Sequence, residues 1–187
     1  MTRPLLLLTL LVACSSSGPA PTTPAPSPPV PSPPPSLARA YERPCEESVF
    51  GTLGAHWRDR SLVVGPIAFV GLPAGAAEGS LGVHGTRAYP QKVLAVVDRG
   101  GPVTVSVAPE ARAFAGLLYD PHRFPDGRVG LASTDVGVTF HPCGGDQRRT
   151  QFNGGILVLR PGCVVLDVSW PDGHRRVPIP FAGASCE

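Results

Sequence analysis

The residues best suited to chemistry lie around position 120, where Tyr119-Asp120-Pro121-His122 follows an apolar run. A carboxylate and an imidazole two positions apart could bind a metal if the fold also brought Asp135 and His141 to them. A loop Asp-Pro and an exposed His are common in proteins, so ordinary turn structure is the favoured interpretation. We therefore treat Asp120 and His122 as candidate ligand-binding residues, and we predict no catalytic residue, metal or cofactor.

Sequence signatures of common hydrolases are absent. The chain contains no Gly-x-Ser-x-Gly, no Ser-x-x-Lys and no His-Glu-x-x-His. A Ser-His-Asp triad assembled from distant positions stays open, because triads are defined by geometry and not by spacing.

Other candidate surface residues are Trp170 and two arginine pairs, Arg148-Arg149 and Arg175-Arg176. The arginines could form a basic patch for anionic lipid or wall polymer, but solvated loop charges are the favoured interpretation. Trp170 ends an apolar run and could be either a core anchor or a platform for a sugar. The formal net charge is only +2 at pH 7, so we expect no nucleic-acid partner.

The elements that must position these residues are predicted to be strands. Two apolar runs, 156–159 and 164–170, flank Arg160-Pro161-Gly162, which is typical of a hairpin turn. Asn153 is expected to adopt an unusual turn conformation at the start of this hairpin. After Pro171-Asp172-Gly173 a third strand returns, which predicts a three-stranded meander with one solvated face.

The fold class predicted from the whole pattern is all-β, an antiparallel β-sandwich that is immunoglobulin-like in the broad sense. Seven to nine short strands with turn signals about ten residues apart favour a sandwich, with a barrel as the second choice. The segment 62–70 is interrupted by Gly65-Pro66, which indicates a kinked or edge strand. The Gly- and Ala-rich segment 71–85 is expected to be a loop, and Pro109 to begin one helical turn.

Four cysteines in the predicted domain, Cys45, Cys143, Cys163 and Cys186, indicate two disulfides in an exported protein. Three connectivities are possible. We favour Cys45–Cys186, which would join the two ends of the domain, and Cys143–Cys163. Zinc ligation is less favoured, since the paired short spacings of thiolate zinc sites are missing.

The N-terminus has the features of an export signal. Arg3 precedes the apolar run Leu5 to Val12, which is too short to span a bilayer. Leu11-Val12-Ala13-Cys14 resembles a bacterial lipoprotein lipobox at all four positions, and the resemblance implies cleavage before Cys14 and acylation of its thiol. An ordinary cleaved signal with an incidental Cys is the alternative.

A proline-rich segment follows the predicted signal. Ten of the seventeen residues from Pro19 to Pro35 are Pro, and such a segment cannot bury enough apolar surface to fold. The predicted organisation is a lipoprotein signal peptide at 1–13, lipidated Cys14 with a disordered linker over 14–40, and one β-sandwich domain over 41–187.

Several short motifs resemble those of small secreted actinobacterial proteins of unknown function. They include Gly65-Pro66-Ile67-Ala68-Phe69, Leu117-Leu118-Tyr119-Asp120-Pro121 and Gln151-Phe152-Asn153-Gly154-Gly155, in this order. The resemblance implies an envelope location and does not indicate any particular activity. We expect a lipoprotein on the extracytoplasmic side of a bacterial membrane, presenting a non-enzymatic binding or structural module to an envelope protein or wall polymer. A loop-built hydrolase or metal-dependent enzyme is the alternative.

Overall fold

The computed structural model of the protein describes residues 40–79, 82–123 and 127–187. The predicted signal peptide, Cys14 and all of the predicted linker except Ala40 lie outside these residues. The strands and the α-helix within them are β1 (Tyr41–Arg43), β2 (Ser61–Val64), β3 (Ile67–Val70), α1 (Leu72–Glu78), β4 (Gln91–Lys92), β5 (Leu94–Asp98), β6 (Val103–Val107), β7 (Ala115–Leu118), β8 (Gly137–Phe140), β9 (Arg149–Phe152), β10 (Gly155–Val158), β11 (Gly162–Trp170) and β12 (Gly173–Phe181).

The strands form three sheets that share one apolar core. A five-stranded sheet has the order β1-β8-β6-β11-β12, a four-stranded sheet the order β2-β3-β5-β9, and a three-stranded sheet the order β4-β10-β7. All pairs are antiparallel except β1 with β8. The sheets do not close into a barrel, which confirms the predicted all-β, sandwich-like class.

The two smaller sheets are linked by bent strands. Val93 separates β4 from β5, and Asn153-Gly154 separates β9 from β10. The two bends meet, since the amide of Val93 donates to the carbonyl of Gly154 at 2.9 Å. A methyl group at Gly154 would lie 2.2 Å from Cδ1 of Tyr119, so the bend requires glycine there. Asn153 does not have the predicted turn conformation, because Ala182 is the one described non-glycine residue with positive φ.

Alternation along β11 and β12 agrees with the sequence pattern. Val164, Leu166 and Val168 are fully buried, whereas Asp167 and Ser169 point away from the core. The strands pair from Gly162 opposite Phe181 to Trp170 opposite Gly173, so the predicted second turn of the meander is confirmed.

The first turn of the predicted meander is wrong. β10 pairs with β4 and β7, and β11 pairs with β6 and β12, so Arg160-Pro161-Gly162 connects two sheets and not two paired strands. All four residues of β10 are buried, as expected for a strand covered on both faces. Because both edges of β10 are already occupied, the chain must cross to the opposite layer to place β11.

Two further segments differ from expectation. Gly65-Pro66 is the tight turn of a hairpin between β2 and β3, with Gly65 at φ +53°, and β2 is an edge strand. The segment predicted as a loop contains α1, which begins after Gly71 and ends before Gly79. Pro73 suits the first turn of a helix, and Leu72 and Ala76 bury one face at helical spacing. Within the described ranges, no helix combines the length and apolar content needed to cross a membrane.

The cysteines form two disulfides, but the favoured pairing is wrong. The bonds are Cys45–Cys143 and Cys163–Cys186, with Cα–Cα distances of 4.9 and 5.1 Å. Arg43 of β1 lies opposite Phe140 of β8 in parallel register, so Cys45 and Cys143 leave the same end of two paired strands. Cys163 lies opposite Pro180, and the chain turns back beyond Phe181 to bring Cys186 to it.

Candidate functional site

Asp120, the first candidate residue, is held by neighbours in its own loop. One carboxylate oxygen accepts the backbone N–H of His122 at 2.9 Å, and the other accepts Nε of Arg123 at 2.5 Å. Arg123 also donates to Asp135 at 2.8 Å. Burial alone raises the pKa of Asp120, but the hydrogen bonds from Arg123 and His122 outweigh it and hold that pKa below its usual value. Asp120 is therefore an ionised acceptor whose two oxygens are both engaged.

The fold does not assemble the four residues that could have formed a metal site. Arg123 joins Asp120 to Asp135, whereas His141 pairs with Glu42 at 2.6 Å and the side chain of His122 is exposed. In the part of the chain that the structure describes, no three His, Cys, Asp or Glu residues are grouped as metal ligands. The alternative of a loop-built hydrolase or metal-dependent enzyme gains no support from this arrangement.

The remaining predicted surface residues lie apart. Trp170 is half-buried against the core, and its indole covers the two hairpin turns, since a methyl group would lie 2.7 Å from it at Gly65 and 2.5 Å at Gly173. Arg175 is exposed, and Arg176 contacts Glu110. Arg149 forms an ion pair with Asp98, and both residues belong to the four-stranded sheet. Arg175 and Arg176 belong to the five-stranded sheet, so the two arginine pairs do not form one patch on a common sheet.

A buried arginine was missed by the sequence analysis. Arg43 is fully buried, and its guanidinium donates to the carbonyl of Tyr119 at 2.7 Å, to Oδ1 of Asn153 at 2.9 Å, and to both the carbonyl and the carboxylate of Glu47. Burial lowers the pKa of Arg43, while the charge of Glu47 opposes that shift. Burial likewise raises the pKa of Tyr119, whose hydroxyl donates to the carbonyl of Val93 at 3.1 Å. These groups tie together distant segments of the fold.

The candidate binding feature of the described chain is a groove between α1 and the edges of two sheets. Its volume is about 450 Å³. All the residues of this apolar groove have apolar side chains or none; they are Leu62, Leu72, Pro73, Ala76, Ala77, Pro178, Ile179, Pro180, Gly183 and Ala184. Such concave, apolar surfaces are where proteins hold small molecules.

The fold explains why the apolar groove is open on one side. β2 and β12 are edge strands of different sheets, and α1 spans the space between them. The amide of Ala182 donates to the carbonyl of Ala76 at 2.8 Å, which fixes the end of β12 to the helix. Ala77 and Pro178 are exposed, whereas Leu72 and Ile179 are buried at the base. The groove is thus a fixed feature of the sandwich edge.

Backbone chemistry also distinguishes this groove. In antiparallel pairing, residues that do not bond the neighbouring strand turn their N and O atoms outward. Pro178 and Pro180 have no backbone N–H and so cannot donate a hydrogen bond to β11. Their backbone N and O atoms point to the free edge of β12, which therefore lacks an N–H donor at these two positions. This edge is therefore poorly suited to adding a peptide strand. The groove offers apolar contact and few hydrogen-bond donors.

Sequence reasoning missed the groove because it assigned 71–85 to a loop. A signal was present in Pro73 and the spacing of Leu72 and Ala76, which together are typical of a short helix with one apolar face. Alternating prolines at 178 and 180 were a second signal, since proline is confined to edge strands.

Three comparisons with known proteins give no relative on which to base a function. No family model matches the chain, and no curated protein or solved structure is significantly similar to it. The resemblance to small secreted actinobacterial proteins stays a prediction.

Proposed function

We propose that this protein is a lipid-anchored binding module of the bacterial cell envelope, and that its domain holds an elongated apolar ligand in the apolar groove. The observation that carries the proposal is the composition of that groove. Its volume of about 450 Å³ is lined without a single polar side chain.

The chemistry of the groove favours an aliphatic ligand over a peptide. A peptide would need partners for its own N–H and C=O groups, and Pro178 and Pro180 remove the donors from the adjoining strand edge. An alkyl chain has no such requirement, and burying it contributes about 0.8 kcal/mol per methylene. The ligand class that fits is therefore a lipid-like molecule with an extended hydrocarbon part.

The envelope location in this proposal rests on the sequence. Leu11-Val12-Ala13-Cys14 supplies the lipidation motif, and the proline-rich segment supplies a spacer between anchor and domain. The domain begins at β1, which is the edge strand opposite to β12 in the five-stranded sheet. The first strand of the domain therefore lies at the sheet edge away from the groove.

Binding can be tested with uncharged alkanols that displace an uncharged fluorescent probe, N-phenyl-1-naphthylamine, from the unlipidated full chain. We expect affinity to rise about fourfold for each added methylene, until the chain exceeds the groove. Ala77→Phe should weaken binding about tenfold, because Ala77 is exposed and lines the groove.

Ala74→Phe provides a matched control on the same helix. Ala74 is exposed, but it does not line the groove, so the substitution should leave affinity unchanged. Equal effects of the two variants, or an affinity that does not depend on alkyl length, would refute the proposal.

A further inference from the structure

A second cavity is polar and basic. It has a volume of about 390 Å³ and is lined by His84, Arg87, Tyr89, Gly127 and Arg128. None of these residues lines the apolar groove, and neither arginine was singled out by the sequence analysis. We call this cavity the basic pocket.

Backbone bonds hold its walls in place. His84 and Arg87 face each other across a tight turn, with N–H to C=O distances of 2.8 and 3.2 Å. Ala88 and Val129 exchange hydrogen bonds of 2.9 and 2.8 Å, which place the chain around Arg87 beside the chain around Arg128. The pocket is thus built from one tight turn and one short bridge between segments that are distant in sequence.

The two guanidinium groups are oriented by carbonyl oxygens. Nε and Nη2 of Arg87 both donate to the carbonyl of Arg128, at 3.2 and 2.7 Å. Nε of Arg128 donates to the carbonyl of Gly82 at 2.7 Å, and its guanidinium carbon lies 5.0 Å from the centre of the Tyr89 ring. A methyl group at Gly82 would lie 3.0 Å from Tyr89 and 3.3 Å from Arg128. Gly82, with φ +60°, therefore allows the close packing that positions Arg128.

The charge of this pocket is not balanced within the described residues. Arg123, Arg149 and Arg176 each pair with a carboxylate. Arg87 and Arg128 have no carboxylate partner among the described residues, and their bonds to neutral carbonyls leave both positive charges in place. Both arginines line the same cavity, so an anion bound there would be attracted by two positive charges.

We propose that the basic pocket binds a phosphate group. A guanidinium has planar N–H donors that match the oxygens of an oxyanion. Backbone carbonyls accept Nε and Nη2 of Arg87 and Nε of Arg128, so the remaining Nη hydrogens of the two side chains are the donors for an anion with three or four acceptor oxygens. Tyr89 and His84, whose side chains carry groups able to donate hydrogen bonds, also line the pocket. The phosphate could belong to a soluble ester or to a lipid headgroup, and both present the same oxygens. This inference does not depend on the apolar groove.

The test is a titration of the ¹⁵N-labelled full chain, expressed without lipidation, with inorganic phosphate at constant ionic strength. We expect the Nε–Hε signals of Arg87 and Arg128 to shift together with one dissociation constant. Arg87→Gln and Arg128→Gln should each weaken binding about tenfold, the effect expected for losing a charge-assisted hydrogen bond.

Arg60→Gln is the matched control. Arg60 is an exposed arginine that directly precedes β2 of the four-stranded sheet. Its substitution by Gln changes the net charge as much as Arg87→Gln does, but Arg60 does not line the basic pocket. Arg128→Lys is a second variant, because it keeps the charge but removes the planar guanidinium, including the Nε that donates to Gly82. It should bind phosphate more weakly than the unaltered protein while retaining the fold, as judged by circular dichroism.

The source of the phosphate is distinguished by two further arms. Glycerol 3-phosphate represents a soluble ester, and vesicles of phosphatidylglycerol, compared with phosphatidylcholine, represent an anionic headgroup. Arg87-dependent binding in either arm supports the proposal and identifies the source. The proposal is overturned if phosphate shifts neither arginine, or if Arg60→Gln weakens binding as much as Arg87→Gln.

Discussion

Nη2 of Arg43 donates a hydrogen bond of 2.9 Å to Oδ1 of Asn153, although 110 residues separate them in the chain. Asn153 lies at the bend between β9 and β10, and Arg43 ends β1. One fully buried guanidinium therefore fixes an edge strand of the five-stranded sheet to the bend of the opposite layer. The same guanidinium holds the carbonyl of Tyr119, which directly precedes the Asp120 loop.

Arg43→Met should lower the free energy of unfolding by about 3–5 kcal/mol, the cost of removing one partner from a buried charge network. Methionine retains apolar volume, but it leaves the Tyr119 carbonyl without this donor in a buried site. Urea unfolding followed by tryptophan fluorescence would measure the change.

The control for that prediction is Arg58→Met. Arg58 is about half-exposed and pairs with Asp98 at 3.4 Å, so its loss should cost at most about 1 kcal/mol. Asn153→Ala removes one hydrogen bond of Arg43 and should cost about 1 kcal/mol. Equal losses for Arg43→Met and Arg58→Met would show that Arg43 has no special role.

The Asp120 loop should become unstable in acid. The pKa of Asp120 in the folded protein lies below its unfolded value, which is about 3.9. The stabilisation that its ionised form contributes is therefore fully present above pH 4–5 and is lost as the pH falls through the lower, folded value. Asp120→Asn should lower the free energy of unfolding at pH 7. Below about pH 4, the free energy of unfolding of this variant should fall less steeply with decreasing pH than that of the unaltered protein, as measured by urea unfolding across that range.

Asp172→Asn serves as the comparison, because Asp172 is exposed in the β11–β12 turn. Its substitution should change the stability at pH 7 by less than about 0.5 kcal/mol. A decline in acid that is as steep in Asp120→Asn as in the unaltered protein would contradict the assignment to Asp120.

The same loop supports a prediction about metals. Both oxygens of Asp120 are engaged by Arg123 and His122, so replacing Asp120 and His122 together by Ala should remove no bound metal. Elemental analysis of protein purified without chelator decides this. Stoichiometric zinc or copper that is lost on substitution would show that the loop is a metal site.

The strands could be predicted where alternation is strict, as in β6, β11 and β12, because one face is buried and the other is solvated. Their partners could not be predicted with the same success. The four consecutive buried residues of β10 indicate a strand that is covered on both faces. Such a strand is not expected to pair with β11, which is buried on one face only. Arg160-Pro161-Gly162 has local turn chemistry that fits a hairpin equally well, so only long-range pairing distinguishes the two.

The candidate site was harder to predict than the fold. Asp120 and His122 were identified by residue type, but the contacts of Asp120 with Arg123 depend on the conformation of the loop. The apolar groove has no chemical signature in sequence, since it arises from two sheet edges that meet only in the folded chain. Arg43 gave no signal either, because a buried arginine is identified by what surrounds it.

Disulfide pairing was mispredicted because parallel pairing of β1 with β8 was not foreseen. Non-reducing peptide mapping should show Cys45–Cys143 and Cys163–Cys186. These bonds close separations of 98 and 23 residues, for which chain entropy gives about 5 and 3 kcal/mol. Replacing Cys45 and Cys143 by Ala should therefore destabilise the protein more than replacing Cys163 and Cys186. A Cys45–Cys186 bond, or the opposite order of stability, would contradict this topology.

The last prediction concerns Cys14, which lies outside the described residues. The tetrad Leu11-Val12-Ala13-Cys14 follows a short apolar run and precedes a proline-rich segment, so we expect diacylglycerol on the Cys14 thiol. One acyl chain gives only marginal membrane binding, whereas two give a stable anchor, so anchoring needs no contribution from the domain. Cys14→Ser should release the protein into the medium or leave it uncleaved, with both disulfides intact. Mass spectrometry of the mature N-terminal peptide is the direct measurement, and an unmodified Cys14 or cleavage after Ser17 would mean that the protein is secreted without an anchor.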